Sequence, residues 1–134
     1  MSKVKFYEKQ LGVKPKFYFW NDKMNSNLIM DSRQDKWKEQ RKQYGFDERE
    51  VWSLKNTLAA FIYPRLKFFA ENTRSQPIRY ADEKWELMLE KMAKAFEYVI
   101  KDEVDIDNFD FAAVYDEFKE GMKLFSENFL DLWD

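Results

Sequence analysis

Three apolar stripes, each recurring at three- and four-residue steps, constrain this chain more than any other feature. The first is Leu54, Leu58, Phe61/Ile62, Leu66 and Phe69. The second is Trp85, Met88, Leu89, Met92, Phe96, Val99 and Ile100, and the third Phe111, Val114, Phe118, Met122, Phe125, Phe129 and Leu132. Such spacing lines one face of an α-helix with apolar side chains, and faces of that kind close on one another. The expected fold is therefore all-α: a small helical bundle of about four helices. We expect one domain over residues 1–134, with an extended aromatic and basic N-terminal arm and loop at 1–31 and the bundle at 32–134.

Local signals place the boundaries. A charged first helix is expected from about Ser32 to Tyr44, with Ser32 as N-cap, Asp35 in the first turn and Gly45 as the left-handed stop. Trp37 is nearly its only apolar residue, so this helix should lie on the surface. Ser53 can cap the second helix. Pro64 should kink or restart that helix, because its ring meets the carbonyl of Ala60. A loop over residues 72–78 leads to a third helix, about Asp82 to Lys101, with Tyr80 stapled onto Trp85. An acidic connection from Asp102 to Asp110 precedes the last. Phe96, Phe118 and Phe125 stand at the centres of the two cleanest stripes and should be buried. Gly121 sits mid-helix at a cost of about 1 kcal/mol relative to Ala, which is worthwhile only where another backbone comes close. In the arm, Pro15 denies a helix and the run Phe17-Tyr18-Phe19-Trp20 favours extended chain.

Composition narrows the chemistry. The chain has no cysteine, so disulfides, thiolate metal sites and cysteine nucleophiles are excluded. It has no histidine, the usual general base at neutral pH and the commonest metal ligand. With only three glycines, Gly12, Gly45 and Gly121, it has no Gly-rich phosphate loop. The stretch from Glu103 to Val114 resembles a calcium loop at a glance, but no register fits. Starting at Asp105 puts Phe109 at position five and Asp110 where Gly belongs; starting at Glu103 puts Val114 at position twelve. We expect no enzyme, no cofactor and no metal. No run approaches the roughly 18 apolar residues of a membrane-spanning helix, and the N-terminus lacks the apolar core of a signal peptide. A cytoplasmic product with no membrane association is expected.

Charge is unevenly spread. Residues 1–43 carry a net +6, residues 44–81 a net +2 and residues 82–134 a net −10. Two oppositely charged faces of one bundle would account for this, and so would head-to-tail association of copies. At 19% of residues the aromatics exceed what a small core needs, which leaves some for a contact surface and favours a homo-oligomer. Lys3, Lys5, Lys9, Lys14 and Lys16 interleave with Phe6, Tyr7 and Phe17 to Trp20, a pattern that can hold bases and phosphates. The plainer use is that the aromatics dock on the bundle while the lysines stay in water. The acidic tail repels a long polyanion, so a protein or a small anionic nucleotide suits the chain better than long nucleic acid.

The candidate binding residues are Arg49, Trp52, Arg65, Arg79 and Tyr80, arginines close to aromatics at two expected helix starts. If an anion binds there, reversing any one arginine charge should abolish binding and leave the melting temperature nearly unchanged. The structural alternative is Arg49 paired with Asp47, Glu48 or Glu50 as a clasp. Over residues 45–134, Gly45-Phe46-Asp47-Glu48-Arg49-Glu50-Val51-Trp52-Ser53-Leu54, Pro64-Arg65-Leu66-Lys67, Glu120-Gly121-Met122-Lys123-Leu124-Phe125 and Leu132-Trp133-Asp134 resemble a group of small, uncharacterised bacteriophage proteins. The resemblance implies a phage or prophage origin, and with the lack of a membrane span or signal-peptide core it makes the host cytoplasm the expected place of action. It supplies no functional residues. The expected function is a non-catalytic phage accessory protein that sequesters a host factor, such as a defence protein or an anionic signalling nucleotide. A structural or assembly component of the virion is the alternative.

Overall fold

The computed structural model describes residues 32–73, 77 and 82–134; the arm and loop of residues 1–31, with Arg79 and Tyr80, lie outside them. The described elements are α1 (Gln34–Tyr44), α2 (Arg49–Trp52), α3 (Leu54–Asn72), α4 (Asp82–Val104) and α5 (Phe111–Glu127), followed by a 3-10 turn, Phe129–Asp131. The described residues are all-α, as the stripes require. None of their helices is long and apolar enough to cross a membrane.

The central element is α4, which packs against α3 on one side and α5 on the other. Its position explains its composition. Trp85, Leu89, Met92, Ala93, Phe96 and Ile100 join the main core, while Ala95 and Tyr98 are buried as well. A helix covered on two sides needs more than one apolar stripe. From α3 come Ala59, Ala60, Tyr63 and Leu66; from α5 come Met122, Leu124 and Phe125, partly buried against the same cluster. Phe96 and Phe125 meet edge to face at 5.1 Å. Phe96 is buried as expected, whereas Phe118 and Phe125 are only half-buried.

The α4–α5 seam is close and polar-stitched. A Cβ built at Gly121 would overlap the Lys91 carbonyl oxygen and lie 2.7 Å from the Ala95 Cβ. Close backbone approach is therefore what the mid-helix glycine serves. Lys91 Nζ lies 2.9 Å from Glu120 Oε1, and the Tyr98 hydroxyl donates to Glu117 at 2.6 Å. Burial and then the Glu117 hydrogen bond push the Tyr98 phenol up to about 12. Gly121→Ala should cost about 1–3 kcal/mol by overpacking, even though alanine is the better helix former by about 1 kcal/mol. Urea denaturation measures this. A neutral or stabilising result would show that the helices do not meet there.

Several boundary and facing expectations need correction or narrowing. No side-chain hydrogen bond caps α1 at Ser32; the helix starts at Gln34 after Arg33, and Trp37 N–H bonds the Arg33 carbonyl. Of the kink or restart expected at Pro64, the restart does not occur, since one helix runs from Leu54 to Asn72 with the proline inside it. Beyond Lys101, α4 continues to Val104 before Asp105 closes a turn with Asn108 and Phe109. The largest correction concerns the first stripe, which is split: Leu54, Leu58 and Phe61 face solvent, whereas Leu66 is buried and Ile62 and Phe69 pack partly buried against the core, where Ala59, Ala60 and Tyr63 complete the inward face. Apolar residues surround α3 on nearly every side, so periodicity does not define its inward face. The alanines do, because small side chains let the helix axes approach and bring the flanking Tyr63 and Leu66 into contact.

Candidate functional site

The short turn between α1 and α2 folds them into a hairpin whose residues hold one another tightly. Gly45 adopts φ 82° and donates its N–H to the Arg41 carbonyl, ending α1 as the sequence indicated. Asp47 and Glu50 then start α2 in the manner of a capping box. Asp47 Oδ1 accepts the Arg49 N–H at 3.0 Å, and Glu50 Oε2 accepts the Asp47 N–H at 2.9 Å.

Asp47 is the centre of the clasp. Its carboxylate receives Arg49 in two-pronged fashion, Nε to Oδ1 at 2.9 Å and a terminal nitrogen to Oδ2 at 2.7 Å. Arg41 adds a third ion-paired contact at 2.7 Å. Burial alone would raise the Asp47 carboxyl; the hydrogen bonds from Arg49 and Arg41 outweigh it and hold the group below the ordinary carboxylate value. The neighbouring Glu48 bonds back to α1. It accepts the Trp37 indole N–H at 2.9 Å, pairs with Lys36 at 3.2 Å, and its own N–H donates to Gln40 at 2.9 Å. The Trp37 and Lys36 bonds lower its carboxyl as well, whereas burial raises that of Glu50.

Aromatic rings complete the hairpin. Trp37 is fully buried, with the Arg49 guanidinium 4.4 Å from its ring centroid. Trp52 meets Trp37 edge-on at 5.9 Å yet remains 57% exposed. Arg33 lies over both indoles, at 4.9 and 5.2 Å. Tyr44, Phe46 and Val51 of the same hairpin are exposed, with Tyr44 and Phe46 6.0 Å apart.

The candidate residues thus fall into different settings. Arg49 and Trp52 share the hairpin, but only Trp52 offers a free face; Arg49 is 5% exposed. Reversing its charge would set two carboxylates against each other in a buried site, so at Arg49 a lowered melting temperature is now expected in place of an unchanged one. Arg65 is on α3, exposed, with its guanidinium 3.8 Å from the Phe61 ring centroid and one nitrogen donating to the Phe61 carbonyl at 2.8 Å. Arg33 and Arg41 were not singled out in the sequence, and Trp37 was read only as the lone apolar residue of a surface helix, whereas it is fully buried. The Asp-x-x-Glu spacing of Asp47 and Glu50 is the one sequence signal that could have located their cluster.

Among the described residues no group of three acidic side chains converges as a metal site would require. What the hairpin can do is present a rigid aromatic surface. Compared with known protein families, curated proteins and solved structures, the chain finds no match in any of the three.

Proposed function

We propose that this chain is a non-catalytic phage accessory protein that sequesters a host factor in the host cytoplasm, that the factor is a protein, and that the chain works as a homo-oligomer. The supporting observation is Trp52: more than half exposed, yet held against a buried Trp37 on a hairpin pinned by the Asp47 carboxylate. An exposed tryptophan in a preorganised frame binds with little further loss of conformational freedom, and Trp, Tyr and Arg are the residue types that dominate protein contacts. A nucleotide is disfavoured at this place because the Asp47 carboxylate already neutralises Arg49. The phage setting rests on the sequence resemblance.

The test is affinity capture from bacterial lysate with the parent and with Trp52→Ala, alongside a thermal-shift screen of nucleotides. The parent should retain one host protein that Trp52→Ala loses, at an unchanged melting temperature. A nucleotide that raises the melting temperature would replace the protein partner with a small anion, since a ligand specific for the folded state stabilises it by mass action. Capture of virion proteins alone would make the chain an assembly component.

A further inference from the structure

Two exposed surfaces of this bundle are apolar and carry charge of one sign only. The first is the outward face of α3. Leu54, Leu58, Phe61, Arg65 and Phe68 are all exposed and fall within about 40° of one direction around the helix. From Val51 to Ala70 the charged residues are Lys55, Arg65 and Lys67, with no Asp or Glu. Arg65 stands at the middle of the face, its guanidinium resting on the Phe61 ring and carbonyl, and it meets no carboxylate among the described residues. The second surface is the tail after α5, where Leu130 and Trp133 are 87% and 68% exposed. From Leu124 to Asp134 the charged residues are Glu127, Asp131 and Asp134, with no Lys or Arg. Thr73 Oγ1 donates to the Asp134 carboxylate at 3.3 Å, which holds the tail at the end of α3. Within one copy, therefore, the two surfaces leave each other uncovered.

We propose that the tail of each copy docks on the α3 face of a second copy, so that a two-fold pair makes the contact twice. The proposal rests on the self-association included in the preceding reading and names the two surfaces that carry it. Charge selects the occupant, an acidic apolar tail against a basic apolar face. Face against face would set Arg65 beside the partner's Arg65, and tail against tail would set acid beside acid. Spacing agrees with charge. Phe61 and Phe68 flank Arg65 at four and three residues, so the two rings stand about 10 Å apart along the axis. Leu130 and Trp133 flank Asp131 and are three residues apart, a stretch that spans up to about 10 Å. The two tail side chains lie against Phe61 and Phe68 while Asp131 meets Arg65. Arg65 also lies eight residues before Thr73, roughly 12 Å along the helix. A two-fold axis midway between them carries each tail to the other copy's Arg65. Made twice, the contact buries on the order of 1,200 Å², the lower end of the standard range.

Sedimentation of the full chain at tens of micromolar in low salt should show a dimer that weakens as salt is raised. Arg65→Glu and Leu130→Asp should each raise its dissociation constant at least about tenfold. Both side chains are exposed, so the helical spectrum should not change. A chain carrying Asp131→Lys and Asp134→Lys should dimerise as weakly as Arg65→Glu. Mixing those two chains should restore a tight dimer, because each tail then meets the opposite charge on the other's face. A monomeric parent overturns both this proposal and the self-association reading. A dimer that Arg65→Glu and Leu130→Asp leave intact overturns the tail-on-face contact alone, and so does a mixture as weak as its components. Growth beyond a dimer with rising concentration overturns the two-fold exchange.

Discussion

Asp47→Ala is expected to destabilise the α1–α2 hairpin by about 3–5 kcal/mol, the cost of breaking a buried ion pair from one side. The substitution removes the acceptor for the two-pronged Arg49 contact, for Arg41 and for the Arg49 N–H together. Fluorescence follows it well, because Trp37 is fully buried beneath Arg49 and would become wet. A variant with the parent's emission and denaturation midpoint would show that the clasp contributes nothing. The same carboxylate sets a pH dependence. Its folded value is depressed, so its contribution is present above the unfolded value, near 3.8, and is lost as pH falls through the folded value. The parent should therefore lose hairpin stability in acid below about pH 4, and Asp47→Ala should lack that part of the acid transition.

Phe96→Ala is expected to cost about 3–5 kcal/mol, the usual range for deleting a buried ring, and so to lower Tm by at least about 10 °C. Phe96 lies on α4, covered by α3 and α5, and its ring meets Phe125 edge to face. Phe118→Ala should cost less than half as much, because Phe118 is only half-buried, in a chain of rings with Phe111 and Tyr115 along α5. Calorimetry of the two variants checks the order. If Phe96→Ala melts within a degree or two of the parent, the core does not lie between these three helices.

The two stripes that could be read correctly were those with one clear solution. On α4 every residue of the stripe is buried or partly buried, since the helix is covered on two sides and tolerates errors of facing. On α5, Met122 and Phe125 meet the core, but Asn128 ends the helix and Phe129 turns outward. The buried Asn128 donates both its backbone N–H, at 3.0 Å, and its side-chain amide, at 2.9 Å, to the Leu124 carbonyl at the helix end. On α3 the facing was only half right, with Ile62, Leu66 and Phe69 inward but Leu54, Leu58 and Phe61 outward, because large apolar residues lie all around the helix. Only the partner helix distinguishes the alanine-bearing side from the other.

The candidate site divides in the same way. Trp52 and Arg49 were legible as neighbours in sequence, and Asp47 as a possible clasp partner. The roles of the two arginines were not, because a guanidinium can be a ligand-binding fork or half of an ion pair, and only burial and the nearest carboxylate decide between them.

By itself, then, the sequence determined what depends on neighbours along the chain: helix periodicity, the stop at Gly45, the need for close approach at Gly121, and the exclusion of cysteine and histidine chemistry. The tertiary structure decided what depends on neighbours across space. It turned Leu54, Leu58 and Phe61 outward, buried Trp37 under Arg49 and left Trp52 exposed beside it. Backbone and spacing preferences are local and act before any helix finds its partner. Which of several apolar faces is inward, and which charge is neutralised, follow from packing and desolvation, and these exist only once the helices have met.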